Sequence, residues 1–428
     1  MELPAVPLPP SPGLSPNECP VVHNSPAPPD GRRVRLYTEE FAADPHREYD
    51  RMRRHHKSFA PVELAPGVPA TLVIGYQAAI RILNDPDHFP ADPRIWERDV
   101  PADCPILPML GWRPNALRST GAEHARFRAA NSEAIDKVDL HTLHTVVERI
   151  AIPLINSFGA DGRADLITQY IHPLVFTTLN TMLGIEPDIG QRVTAGMTAI
   201  FDATGDAEEG NRVLTAALQE HTRRKRSAPG DDITSRLIAH DAGLDDEEMI
   251  NQLVTLYGAG IEPQVHLVAN ALLLMTTDDR FSGSLLAGSL ATRDALDWVL
   301  FNNPPLANYC ASYPRQPILV DDVWLPAHQP VLISIAACND DPLVRTGDRN
   351  GNRSHLAFSA GPHACPARRI GYLVAQDAVD QLLDALPDIE LAVPADELHW
   401  RPGPFHRSLS ALPVRFPPSP PLNISSGP

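Results

Sequence analysis

The stretch Phe358-Ser-Ala-Gly361-Pro-His363-Ala-Cys365-Pro-Ala367 is followed at once by an amphipathic segment. Pro366 suits a first helical turn, where a missing N–H costs nothing and φ is already set. Ile370, Val374, Leu382 and Leu386 then mark an apolar stripe at helical spacing. Cys365 is therefore placed at a helix N-terminus, where the macrodipole and free N–H groups favour a thiolate over a thiol. Gly361 permits a close approach of the backbone to whatever lies against the loop. An isolated cysteine is ordinarily a small core residue. The helix start at this one favours a thiolate, which is a strong donor to a metal such as haem iron. Zinc is a poor alternative, because His363 and Cys365 have no second pair of ligands at metal spacing.

The stretch resembles the haem-binding signature of the cytochrome P-450 superfamily, Phe-x-x-Gly-x-His/Arg-x-Cys-x-Gly, and departs only at Ala367, where the signature has glycine. The resemblance covers nearly all of residues 31–416 in the expected order. Ala122-Glu-His124-Ala-Arg126-Phe-Arg128 resembles the family's propionate-binding helix; His124 and Arg128, four apart, share one helix face. The block Pro326 to Pro342, containing Asn339-Asp-Asp-Pro342, resembles the family's hairpin and Asn-Arg-Asp-Pro element, and Leu409 to Phe416 its terminal strand. The resemblance implies a mainly α fold with small β-sheets, the triangular-prism haem-thiolate architecture. It implies haem b as cofactor, Cys365 as the iron ligand, and Phe358, Gly361, His363, His124, Arg128 and Arg315 as cofactor contacts. A thiolate pushes electron density toward the iron and favours O–O cleavage.

Two elements depart from the family. Where most members have Ala-Gly-x-Asp/Glu-Thr, this chain reads Ala259-Gly260-Ile-Glu262-Pro263-Gln264. Proline has no donor to replace the alcohol, which leaves Glu262 and Gln264 as candidate proton-handling residues. Where the family has Glu-x-x-Arg, a buried ion pair that braces the cysteine loop, the aligned residues are Trp298-Val-Leu-Phe301, with Asp297 just before. Replacing both partners by apolar groups can be nearly neutral, whereas losing one is costly. Trp298 and Phe301 are expected to fill the volume of the pair. An actinobacterial subgroup of the family shares this loss, and the chain resembles it.

Composition narrows the remaining possibilities. A net charge of −17 disfavours nucleic acid and anionic membrane surfaces as partners. No apolar run approaches a bilayer span, and no basic start leads into an apolar stretch. Five scattered cysteines without CxxC spacing fit a reducing cytoplasm. Residues 1–30 hold ten of the 45 prolines and read as a disordered tail; 31–416 read as one domain, and 417–428 as a flexible end. Helical periodicity dominates between the tails, with one long helix over Asp245 to Met275 interrupted at Gly-Ala-Gly, and short strands at 318–323, 331–335 and near Val414. Substrate contacts are expected from Phe89 to Pro114, Met197 to Ala207 and Tyr257 to Glu262. The resulting expectation is an oxidoreductase, either a monooxygenase or an oxidative coupling enzyme, that takes electrons from a ferredoxin and its reductase and acts on a small natural-product-like substrate. The competing expectation is a haem-binding sensor with little turnover.

Overall fold

The computed structural model describes residues 33–201, 207–282, 291–345 and 352–423. The expected disordered tail at 1–30 and the last five residues lie outside this range, as does part of the expected substrate segment Met197 to Ala207. Eleven of the helices suffice to place the site. They are α1 Pro45–His55, α2 Tyr76–Leu83, α3 Gly121–Asp136, α4 Leu140–Phe158, α5 His172–Leu183, α6 Pro187–Phe201, α7 Ala207–Ser227, α8 Asp246–Gly260, α9 Glu262–Thr277, α10 Thr292–Asn302 and α11 Arg368–Ala385. Among the described residues, no helix is long and apolar enough to cross a membrane.

The largest core joins α4, α5, α8, α9, α10 and α11. It contains the apolar stripe read from the sequence: Val374, Leu382 and Leu386 are all buried. Helix α8 starts on a reciprocal cap, with the Asp245 carboxylate accepting from Glu248 N at 2.9 Å and the Glu248 carboxylate accepting from Asp245 N at 3.1 Å. The expected long helix is two helices meeting at Ile261, which keeps right-handed helical angles and donates to Tyr257 O at 3.0 Å. Pro263 sits in the first turn of α9, where it removes one backbone donor without ending the helical path.

A five-stranded sheet forms the second layer. Its strands are β1 Val34–Arg35, β2 Phe59–Ala65, β3 Val68–Val73, β5 Asn308–Ser312 and β8 Val331–Ser334, in the order β1-β2-β3-β8-β5. β3 and β8 pair in parallel, Thr71 opposite Val331, across more than half the chain. β4 Arg163–Asp165, β10 Pro413–Arg415 and β9 Glu390–Leu391 make a three-stranded antiparallel sheet, and β6 Ile318–Val320 with β7 Val323–Leu325 a hairpin. The expectation of a flexible end from residue 417 needs correction. Leu422 N donates to the Asn156 side chain at 2.7 Å, Asn156 Nδ2 donates back to Leu422 O at 3.0 Å, and Ser419 N donates to Gly159 O at 2.9 Å. These bonds tie residues 419–422 to the end of α4.

Candidate active site

The cysteine loop runs from Phe358 to the start of α11, which begins at Arg368, three residues beyond Cys365. Cys365 N donates to Phe358 O at 2.8 Å, closing the loop on itself. Ser359 and Gly361 both take positive φ, 58° and 67°. A Cβ at Gly361 would collide with the carbonyl oxygen of Leu83 in α2. The close approach that glycine allows here is between the loop and α2.

Cys365 is exposed, yet burial is the main influence on its thiol and raises its pKa; the Ala367 N–H and the charges of Arg128 and Arg368 pull the other way. The Ala367 N–H at the helix start favours the thiolate, while burial favours the thiol. A metal cation would have to displace the proton. Among the described residues, no group of three or more His, Cys, Asp or Glu is arranged to hold a metal ion. A metal on Cys365 would therefore bring its other ligands with it.

Around this thiol the chain gathers arginines and histidines. His124 is buried, its ring centroid 4.1 Å from that of His363, and its Nε2 has no partner. Burial lowers the pKa of both rings, His363 to about 3, with Arg128 adding to the effect on each. The Arg128 guanidinium donates to Ala364 O, next to Cys365. Two more arginines join that the sequence reading did not single out. Arg118, 3% exposed, donates to Met109 O and to Tyr309 Oη, the latter at 2.7 Å. Burial, followed by the charge of Arg118, lowers the pKa of Arg113. None of Arg113, Arg118 and Arg128 makes an ion pair among the described residues. Uncompensated, half-buried guanidinium groups are costly unless an anion completes them. An anionic ligand carrying carboxylates, placed over Cys365, would satisfy these donors and the orphaned His124 nitrogen.

Arg315 does not belong to this set. It is exposed and its charge acts on Asp92. Its place as a cation near the loop is taken by Arg118, which lies in the irregular segment between Pro114 and Gly121, with no periodicity to signal it. Phe358 lies under the loop, its ring 5.4 Å from Tyr372 and 5.9 Å from His355.

Glu262 and Gln264 part company. The Glu262 carboxylate accepts from His266 Nε2 at 3.0 Å and from Arg401 Nη1 at 3.4 Å. Burial would raise its pKa, but the His266 hydrogen bond and charge, with Arg401 and His406, hold it down at about 2. His266 is 2% exposed with Nδ1 unpartnered, and its ring lies 5.9 Å from that of His406. Gln264 Nε2 donates to Gly371 O at 3.0 Å, in α11. That bond turns Gln264 toward the helix carrying the cysteine loop, so it is not placed as a second proton-handling group beside Glu262.

No protein-family model matches the chain. Known proteins do. It is 29% identical over 391 residues to the cytochrome P450 monooxygenase PikC of Streptomyces venezuelae, covering 88% of this chain and 92% of that protein. To the 6-deoxyerythronolide B hydroxylase of Saccharopolyspora erythraea it is 25% identical over 404 residues, covering 89% and 98%. Among solved structures, CYP154C4 from Streptomyces sp. ATCC 11861 superposes with a TM-score of 0.82 at 26% identity, over 91% of this chain and 99% of that one. The tirandamycin C-bound P450 monooxygenase TamI does so with a TM-score of 0.77 at 25% identity, over 90% and 100%.

Proposed function

The chain belongs to the cytochrome P450 superfamily, and from that premise we propose that it is a haem-thiolate monooxygenase acting on a small natural-product-like substrate. The observation that carries the reading is the gathering of Arg118, Arg128 and His124 around His363 and the reachable thiol of Cys365, with no ion pair to either arginine among the described residues. Haem b fits that set: Cys365 would ligate the iron, and the arginines and His124 would hold the propionates. When bound through a thiolate, haem supplies the activation of dioxygen.

The protein's own contribution is positioning and proton handling. Glu262, with a pKa near 2, stores no proton at neutral pH. It acts instead as a fixed acceptor that orients His266 Nε2–H, 3.0 Å away, in a cluster that reaches partly exposed Arg401. Protons would enter through that cluster rather than through the alcohol that Pro263 replaces. The names of two relatives, a 6-deoxyerythronolide B hydroxylase and a tirandamycin C-bound monooxygenase, support a natural-product-like substrate. Electrons would come from a ferredoxin and its reductase in the cytoplasm.

Substrate-induced spin-state screening of the purified holoprotein against a metabolite extract tests this reading. A blue-shifted Soret band with at least one fraction, and substrate-dependent NADPH consumption with a ferredoxin pair, are expected. The missing alcohol at Pro263 favours a second reading, a haem-binding sensor. Spin shifts without NADPH consumption across the screen would select it.

A further inference from the structure

Helix α10 lacks Glu-x-x-Arg, yet it holds a buried carboxylate one position earlier. Asp297 is 5% exposed. Its Oδ1 accepts from Tyr372 Oη at 2.5 Å and its Oδ2 from Arg353 Nε at 2.9 Å. Tyr372 stands on α11, the helix that follows Cys365, and Arg353 lies in the segment leading into the cysteine loop. Tyr372 Oη also meets His355 Nε2 at 3.1 Å, and Ala357 N donates to His355 Nδ1 at 3.3 Å.

The donors and acceptors in this chain have one consistent direction. The only proton on Tyr372 goes to the carboxylate, so its oxygen accepts from His355 Nε2–H. His355 Nδ1 is then the acceptor that Ala357 N requires. Burial, which pushes the His355 pKa down to about 4, keeps the ring neutral, as this tautomer demands. Asn339 adds a second clamp. Its amide donates to Leu300 O at 3.0 Å and Phe301 O at 3.2 Å, and its oxygen accepts from Leu356 N at 2.8 Å. Residues 353–357 are therefore pinned to α10 and α11 immediately before the loop begins. Fully satisfied buried networks of this kind fix one arrangement, and partly satisfied ones do not.

We infer that Asp297, with Tyr372, His355 and Arg353, is the brace of the Cys365 loop in this chain. The carboxylate has moved one residue along α10, and the cation and the second donor come from outside that helix. Asp297 and Tyr372 are positioning residues: they act on Cys365 through the loop backbone. This inference rests on the reading of Cys365 as the iron ligand.

The test uses the purified holoprotein and its reduced CO complex. Asp297→Asn and Tyr372→Phe should each convert half or more of the thiolate-type, strongly red-shifted Soret band to the form without thiolate. They should do so in samples matched for haem content and far-UV helix signal. Asp232→Asn breaks the Lys225–Asp232 pair, 2.7 Å, away from the loop. It should lower the melting temperature while leaving the band intact, which separates bracing from general destabilisation. Asp297→Glu should recover part of the band. If Asp297→Asn fails to fold, Tyr372→Phe carries the comparison alone. A wild-type protein without the thiolate band would overturn the Cys365 reading and the brace with it. A wild-type band left unchanged by both variants would overturn the brace alone.

Discussion

Gly361 shows how tightly single residues constrain the loop. It holds φ at 67°, and an added Cβ would meet the backbone of Leu83, which has no flexible end to move aside. Gly361→Ala should destabilise the protein by about 3 kcal/mol or more, from αL strain plus overpacking. Denaturant unfolding measures this, and an unchanged midpoint would mean that α2 yields. Cys365, His124, His363 and Arg128 stood out in the sequence through the resemblance to the haem-binding signature, and the fold brings the two histidine rings within 4.1 Å and Arg128 to Ala364 O. Arg118 did not, since a lone arginine in an irregular stretch carries no period. Gln264 bonds away from Glu262 for a geometric reason. Two residues along a helix is a turn of about 200°, so Glu262 and Gln264 face opposite sides. For Glu262 the expectation is functional. Glu262→Gln should slow dioxygen-driven turnover by about 10²-fold, with haem content unchanged and peroxide-driven turnover less affected. Equal slowing by both routes would assign the residue to pocket shape.

Elements tell a different story, because their faces are set by what packs against them. The pattern of α11 was readable over its whole length, and its buried stripe is the one expected. β2 and β5 were not foreseen: Phe59–Ala65 contains Pro61, and Asn308–Ser312 lacks any β-branched residue, yet both are largely buried within a sheet. Tertiary placement outweighs local preference there. On α10, Trp298 and Phe301 were expected to fill the volume of the absent ion pair. Phe301 is 2% exposed and meets His355 edge-on, with ring centroids 5.3 Å apart. Asp297 lies one helical turn earlier, but both its oxygens are engaged. Phe301→Arg would therefore bury a guanidinium with no free acceptor, or take one from Tyr372 and Arg353. Either outcome should cost about 3–5 kcal/mol, read as a lowered melting temperature. A wild-type melting temperature with haem retained would show that the site admits solvent.

At the scale of the whole molecule, the acid limit of stability depends on buried histidines. His221 is the clearest case because it lies between α7, the end of α5 and Thr234, away from the cysteine loop. It is 1% exposed, and its Nε2 faces Leu183 O at 3.2 Å and Thr234 Oγ1 at 3.1 Å. Burial, reinforced by the charge of Lys225, pushes its pKa down from 6.5 to about 4. A depressed histidine pKa means that the unfolded chain binds the proton more readily than the folded one. Stability is then intact above about pH 6.5 and declines as the pH falls toward 4. A shift of this size is worth about 3 kcal/mol for this one ring. His221→Gln keeps a donor for Leu183 O and removes the titration. The variant should lose up to one proton's worth of pH dependence between about pH 6.5 and 4. Urea midpoints of both proteins across that range measure the difference. Parallel curves would show that His221 reaches water in the folded state, and that the acid sensitivity lies elsewhere.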